Sequence, residues 1–371
     1  MKVIITGGAG FIGSNAAARY LDRGHEVVVI DNLDRPGTNL NLNWIKRHGP
    51  LQLARIDIRD GESIAKTFRA NRDASLVLHL AGQVAVTNSV AQPRLDFEIN
   101  ALGTINVLEA LRLASMDAPL IYASTNKVYG ELNDVNVVER SKRWEFENLP
   151  HGIAEERGID FHSPYGCSKG AADQYVRDYS RIYGLNTVVF RQSCIYGTRQ
   201  FGHEDQGWIA WFVIAAALGF PMTVYGDGKQ VRDVLFIDDL LDGYDAAASK
   251  IDIARGRIFN IGGGPRNAIS LLELLEALSR KLGRKIDYRI AEPRRGDQRI
   301  YVSDIRRAQQ EFAWTPKIGW VDGIDRLTAW VAANRDECRK AFEREASAHQ
   351  VLTAHEDPTI ARTACKNDLL D

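Results

Sequence analysis

A chain of 371 residues, 45% apolar and 26% charged, has ample material for one large bilobed unit or two closely packed domains. Its 47 basic and 48 acidic residues leave a net charge of −1, which excludes a global field for nucleic acid or a membrane surface, so any anion must be held locally. The four cysteines, Cys167, Cys194, Cys338 and Cys365, lack CxxC spacing and the eight histidines lack HxH or HExxH grouping, which argues against a disulfide framework and against a metal site.

The chain opens on MKVIITGG, a strand from the outset, so no signal peptide is expected. The longest apolar run, Trp208 to Phe220, is thirteen residues, short of a bilayer span. A cytoplasmic protein is the expectation.

In chain order, Val3 to Ile5 predicts a strand, followed by a glycine loop and an amphipathic helix from Phe11 to Leu21. Strands are expected at Val27 to Ile30, Leu51 to Ile56, Leu76 to Leu80, Leu120 to Ala123 and Thr187 to Arg191. Helical periodicity fills Ile64 to Phe68, Ala101 to Leu113 and Lys169 to Tyr183. Strands alternating with helices specify an α/β fold with a doubly wound parallel sheet and right-handed crossovers. Beyond Arg191 the rhythm loosens, with breaks at Gly197, Gly202, Pro221, Gly226 and Gly228. A helix over Asp238 to Ser249, a strand at Ile258 to Ile261, a helix over Leu271 to Leu282 and a last helix from Val321 towards Glu345 follow. The expected organisation is a doubly wound domain over 1–192 with a returning segment near 230–262. A smaller α/β lobe takes 193–229 and 263–345, and a tail takes 346–371.

The first βα turn is Thr6-Gly7-Gly8-Ala9-Gly10-Phe11-Ile12-Gly13. Gly7, Gly10 and Gly13 permit a tight turn and bring backbone N–H groups close to a pyrophosphate at a helix N-terminus. The loop lies between a predicted strand and helix, which is the context a dinucleotide site requires. Asp31 ends the second strand eighteen residues past Gly13, where a carboxylate accepts from ribose hydroxyls and repels a 2′-phosphate. NAD is therefore expected over NADP, although Arg35 stands nearby. Asp57 after the third strand, and Ala81-Gly82 after the fourth, sit where a parallel sheet presents its ligand crevice.

Tyr165 and Lys169, in SPYGCSK, share one face of a predicted helix start. A neighbouring ammonium and an oxidised nicotinamide both favour the phenolate, making Tyr165 a candidate base near neutrality. Thr125, just beyond the fifth strand in ASTNKVYG, is placed to hydrogen-bond the reacting oxygen. A YxxxK pair alone is equally an exposed helix face; joined to the glycine loop and this hydroxyl, it reads as a catalytic set.

These joined motifs resemble the extended short-chain dehydrogenase/reductase family over about residues 1 to 340. The resemblance implies a Rossmann domain that holds NAD and a C-terminal lobe that holds a nucleotide diphosphate sugar, with Thr125, Tyr165 and Lys169 as the catalytic group. It implies cofactor contacts from the glycine loop with Phe11 and Ile12, from Asp31, Asn32, Asp57 and Ile58, and from Leu80, Ala81, Gln83, Asn100 and Ser124. It also implies a homodimer or tetramer built on a four-helix bundle, from helices near 101–115 and 169–183. The segments HLAGQVAV (79–86), STNKVYG (124–130), DFHSPYGCSKGAADQYVRDY (160–179) and FRQSCIYGTRQFG (190–202) resemble the branch of this family that epimerises CDP-hexoses at C2. Asn126-Lys127 stands where sugar 4-epimerases carry small hydroxyl residues and where a dehydratase wants an Asp-Glu pair. About forty residues separate Thr125 from Tyr165, longer than in many relatives.

For the sugar, Arg232-Asp233 and the loop Arg294-Arg295-Gly296-Asp297 offer guanidinium groups suited to diphosphate oxygens, against the alternative of solvated surface charges. The resemblance favours Arg232 and Arg295, with Asp297 on a ribose hydroxyl. Gln83, Thr125, Asn126, Cys194, Arg199, Gln200 and Val224 are the remaining candidates around the sugar nucleotide. His162 reads as a structural histidine, Cys167 and Cys194 as bystanders to the chemistry, and Lys127 equally as substrate contact or solvated charge. The activity implied is NAD-dependent epimerisation at C2 through a 2-keto intermediate. A 4-epimerase, a dehydratase, or a non-catalytic NAD or nucleotide-sugar sensor is the alternative.

Overall fold

The computed structural model describes residues 1–293 and 298–342. Strand β1 (Lys2–Thr6), helix α1 (Phe11–Asp22), β2 (Glu26–Ile30), α2 (Thr38–Ile45), β3 (Gln52–Ala54), α3 (Gly61–Ala70) and β4 (Leu76–His79) open the chain. Helices α4 (Val86–Ala91) and α5 (Pro93–Phe97) follow, and a π-helical turn over Glu98–Leu102 runs into α6 (Gly103–Leu113). Next come β5 (Leu120–Thr125), a 3-10 turn over Asn126–Tyr129, and the hairpin β6 (Val137–Glu139) and β7 (Trp144–Phe146). Helix α7 (Ser163–Tyr183) and β8 (Thr187–Gln192) complete the first half. The rest comprises β9 (Cys194–Tyr196), α8 (Trp208–Leu218), β10 (Thr223–Tyr225), β11 (Val231–Phe236), α9 (Ile237–Ser249), α10 (Ile251–Ala254) and β12 (Arg257–Ile261). It ends with β13 (Ala268–Ser270), α11 (Leu271–Leu282), β14 (Arg289–Ala291), β15 (Ile300–Tyr301), α12 (Arg306–Phe312), α13 (Trp320–Ala333) and a helix over 335–342.

The large sheet is parallel throughout, in the order β12-β8-β5-β4-β1-β2-β3. Its strands are apolar on both sides, as a sheet covered by helices on each face requires. Successive residues alternate between two cores. Val3, Ile5, Val27, Val29, Leu76 and Leu78 face α1 and α9, and Ile4, Val28, Ile30, Val77, Leu120 and Tyr122 face α3, α6 and α7. Each such side chain contributes about 1.5–3 kcal/mol on burial. The strand order reverses between β1 and β4, and the crevice outside their C-terminal ends is where open α/β sheets bind ligands.

The smaller lobe is built on β13-β11-β15, with β9 pairing the far half of β11, and on the parallel pair β10-β14. Strand β11 thus belongs to the small sheet, and the chain returns to the large one through α9 and β12. The apolar run from Trp208 forms α8, which is buried on nearly all sides; Trp211 and Phe220 both stack on Phe342 of the helix over 335–342. Among the described residues, no helix is long and apolar enough to cross a membrane.

Several bounds differ from expectation for local reasons. The third strand is confined to Gln52–Ala54, because Asp57 and Arg59 form a turn beyond it. Helix α3 starts at Gly61, where the Asp60 carboxylate accepts from the Ser63 N–H. Helix α7 starts six residues before Lys169, with Pro164 in its first turn. The expected last helix breaks at Asn334, whose amide donates back to Trp330 O. Glu345 and the tail 346–371 lie outside the described residues.

Candidate active site

The glycine loop closes on backbone. A Cβ at Gly7, whose φ is +66°, would stand 2.7 Å from Ala81 N, and one at Gly13 would stand 2.1 Å from Gly7 O. Gly10 caps α1 without a side chain, so the N–H groups of the first turn, those of Phe11, Ile12 and Gly13, stay open to an anion. These features fit a dinucleotide pyrophosphate. A groove of about 450 Å³ leads away from the loop, lined by Asp31, Asn32, Asp57, Ile58, Leu80 and Ala81 on one side. Phe201, Cys338 and Phe342 line its other side.

Asp31 Oδ2 accepts from Ala9 N at 3.0 Å and Oδ1 from Leu33 N at 2.8 Å, which ties the loop to the end of β2. Burial raises its pKa, and these two N–H donors oppose the rise. Asn32 donates to Asp57 Oδ2 at 3.0 Å. Arg59, hydrogen-bonded to both Asp57 oxygens, holds that carboxyl down at about 2. Thr6 Oγ1 accepts from Leu80 N at 3.1 Å and Ala81 N at 3.2 Å, so its own proton goes to His79 Nδ1, 2.7 Å away. His79 Nε2 then donates to Thr104 Oγ1 at 3.0 Å, and Thr104 donates to Asn100 O. This buried relay fixes the loop after β4, and burial drives the His79 pKa down to about 3.

Thr125 is the last residue of β5, not a residue beyond it, and its Oγ1 accepts from Lys127 N at 3.2 Å. Tyr165 and Lys169, both buried, lie one turn apart on α7 behind it. Burial pushes the Tyr165 phenol up to about 12, with a hydrogen bond to Thr125 opposing the rise. Lys169 Nζ donates to Ala123 O at 2.6 Å and lies 4.2 Å from the centre of the Tyr122 ring. Burial lowers its pKa to about 7, against the pull of Asp173 and Asp96. The protein therefore holds Tyr165 as the phenol, and the expected phenolate needs a further positive charge beside it.

Three further candidates have partners within the protein. The Ser124 hydroxyl donates to Asp173 Oδ2 at 2.8 Å, and Asp173 forms a buried bidentate pair with Arg191. Gln83 lines the groove, and its amide donates to Ala85 O and Asp96. Arg199 has aromatic and acidic partners. Its guanidinium lies between Trp44 and Trp330, 4.8 and 5.6 Å from the ring centres, and donates to Glu337 at 2.7 Å.

On the substrate side, Asn126 Oδ1 accepts from Thr125 at 3.4 Å, and Trp208 donates to Cys194 Sγ at 3.4 Å. Burial raises the Cys194 pKa while Arg232 and Lys127 lower it, which places all three in one neighbourhood. Arg232 is buried and donates to Val231 O, Val224 is buried in β10, and Gln200 donates weakly to Ile195 O. Arg295 and Asp297 lie outside the described residues. The groups missed from sequence are the Thr6–His79–Thr104 relay, Asp96, and the Asp173–Arg191 pair. A polar residue inside a strand of a doubly covered sheet, such as His79 in LVLH, was the available signal for the first. Nothing in the sequence marks Asp96 as buried.

Taken together, the doubly wound sheet, the glycine cradle and a hydroxyl–phenol–amine set at one crevice define a dinucleotide-dependent enzyme. The chain belongs to the NAD dependent epimerase/dehydratase family, whose profile matches residues 3–262. It is 44% identical over 338 residues to the CDP-paratose 2-epimerase of Salmonella typhi, covering 90% of this chain and 100% of that protein. It is 33% identical to the UDP-glucose 4-epimerase of Thermus thermophilus in complex with NAD, with a TM-score of 0.73 and coverage of 91% and 99%. The UDP-glucose 4-epimerase of Thermotoga maritima with UDP-glucose gives a TM-score of 0.78 at 29% identity, covering 90% and 99%.

Proposed function

We propose that this enzyme epimerises a nucleotide-linked hexose at C2 through a transient 2-keto sugar, with a CDP-hexose such as CDP-paratose as substrate and CDP-tyvelose as product. The observation that carries this reading is Thr125, Tyr165 and Lys169 meeting beside the glycine loop, in a chain 44% identical along the whole length of a CDP-paratose 2-epimerase. Asn126-Lys127 after Thr125, in place of an acidic pair, weighs against dehydration.

NAD bound in this groove would supply a reversible hydride acceptor and, in its oxidised form, a positive charge that favours the phenolate. Tyr165 takes the proton of the C2 hydroxyl and later returns it. Thr125 hydrogen-bonds the C2 oxygen throughout, and Lys169, anchored on Ala123 O, holds the cofactor ribose and sustains the phenolate. Gly7, Gly10 and Gly13 receive the pyrophosphate and Asp31 the adenosine ribose. Arg232 holds the sugar diphosphate, which tethers the ketone while it presents its other face. Because the sugar is oxidised and then reduced at one carbon, the net redox change is zero.

The reading extends to a cytoplasmic homodimer or tetramer. Leu113 on α6 and Tyr175, Ile182 and Tyr183 on α7 are exposed apolar side chains on adjacent helices, a face suited to a four-helix bundle with a second copy.

Incubation with CDP-paratose, CDP-glucose and UDP-glucose in deuterated water, followed by proton NMR, tests the chemistry. The C2 epimer of a CDP-sugar without deuterium at C2 is the expected result. Conversion of UDP-glucose at C4 alone would overturn the C2 assignment, and no turnover of any sugar would overturn the enzymatic reading.

A further inference from the structure

One carboxylate near the catalytic pair has no part in the chemistry described so far. Asp96 is 1% exposed, although it belongs to the short surface helix α5. Its oxygens collect donors from three separate elements: Gln83 Nε2 from the loop after β4 at 3.0 Å, Asn100 Nδ2 from the π-helical turn at 3.2 Å, and Ser168 Oγ from α7. Asn100 is itself a clasp, since its Oδ1 accepts from Gln83 N at 2.9 Å and its Nδ2 also approaches Ser168 Oγ at 3.0 Å. Ser168 is the residue immediately before Lys169. An unpaired buried carboxylate is costly, so a site that gathers these donors around one is ordered by it.

We propose that Asp96 is a positioning residue of the catalytic centre: it fastens the loop after β4, the π-helical turn and α7 into one unit around Lys169 and adds its negative charge to the surroundings of that amine. The proposal rests on the assignment of Tyr165 and Lys169 above. The titratable groups that interact with Lys169 are Asp96 from α5, Asp173 from α7, His79 from β4 and Tyr122 from β5; α4 contributes none. Of these, the two carboxylates raise the Lys169 pKa against burial, and Asp173 is already paired with Arg191. Among the described residues, Asp96 has no guanidinium partner.

The test compares wild type, Asp96→Asn and Ser168→Ala in the NAD-loaded enzyme. In Asp96→Asn, kcat falls about tenfold with KM unchanged, as expected when reacting groups are misplaced but binding is intact. The ¹³C resonance of the Lys169 Cε, identified by its loss in Lys169→Met, titrates about half a unit to one unit lower. In Ser168→Ala the clasp is cut while the charge remains, so kcat falls and the Lys169 midpoint stays put. Unchanged kcat in Asp96→Asn, or a loss of thermal stability with the Lys169 midpoint unmoved, would overturn the proposal. Because the titration needs no substrate, its outcome is separate from whether a CDP-sugar turns over.

Discussion

A phenol buried behind β5 and hydrogen-bonded to Thr125 keeps its proton until a cationic neighbour and a substrate hydroxyl arrive. Removing only that oxygen, in Tyr165→Phe, should leave bound NAD in place and lower turnover by about 10²–10⁴-fold, the range for loss of a general acid–base group. Cofactor content after denaturation and initial rates check both halves; near-normal turnover would remove Tyr165 from the chemistry. His79 makes a separate prediction. Its folded pKa, about 3, lies below the unfolded 6.5, so the unfolded chain binds the extra proton. The contribution is present above pH 6.5 and is lost as pH falls towards 3, by about 2 kcal/mol on reaching about pH 5. Urea unfolding over that window should be steeper in pH for wild type than for His79→Gln. At this scale, the glycines, Thr125, Tyr165 and Lys169 were legible because their chemistry depends on spacing along one loop or helix. The partners of Arg199, Ser124 and Gln83 were not legible, because a long or polar side chain takes its surroundings from what folds around it, and Trp44, Trp330 and Glu337 are remote in sequence from Arg199.

Elements follow a similar division. The strands of the large sheet were readable as apolar β-branched runs, since burial on both faces leaves no polar alternation to confuse them. Short pieces such as α4, α5 and the β6–β7 hairpin carry too few residues for a period to show, and tertiary packing determines them. Between β1 and α1, the demand is steric. A methyl at Gly13 would lie 2.1 Å from Gly7 O, a contact only a rearranged loop relieves. Gly13→Ala should therefore lose NAD on gel filtration while retaining most of its helical circular dichroism. Retained NAD would show that the turn tolerates a side chain.

For the whole molecule, the exposed apolar face of α6 and α7 predicts association. Ile182→Glu, at a side chain 66% exposed, should shift sedimentation from dimer towards monomer, because like charges would meet across a two-fold axis. A wild type that sediments as a monomer would dismiss the assembly. The change of rhythm after Arg191 falls where the chain leaves the large sheet at the end of β8, to rejoin it only with β12. The interleaving of β9 and β11 in the small sheet was not legible, since strand partners so far apart leave no local trace.

The groove beside the glycine loop is walled by residues as distant as Gly7 and Phe342. Cys338 and Phe342 close one side of that groove together with Phe201, so the last described helix is part of the container as well as of the core. A chain truncated before the helix over 335–342 should retain NAD less well even with its large sheet formed.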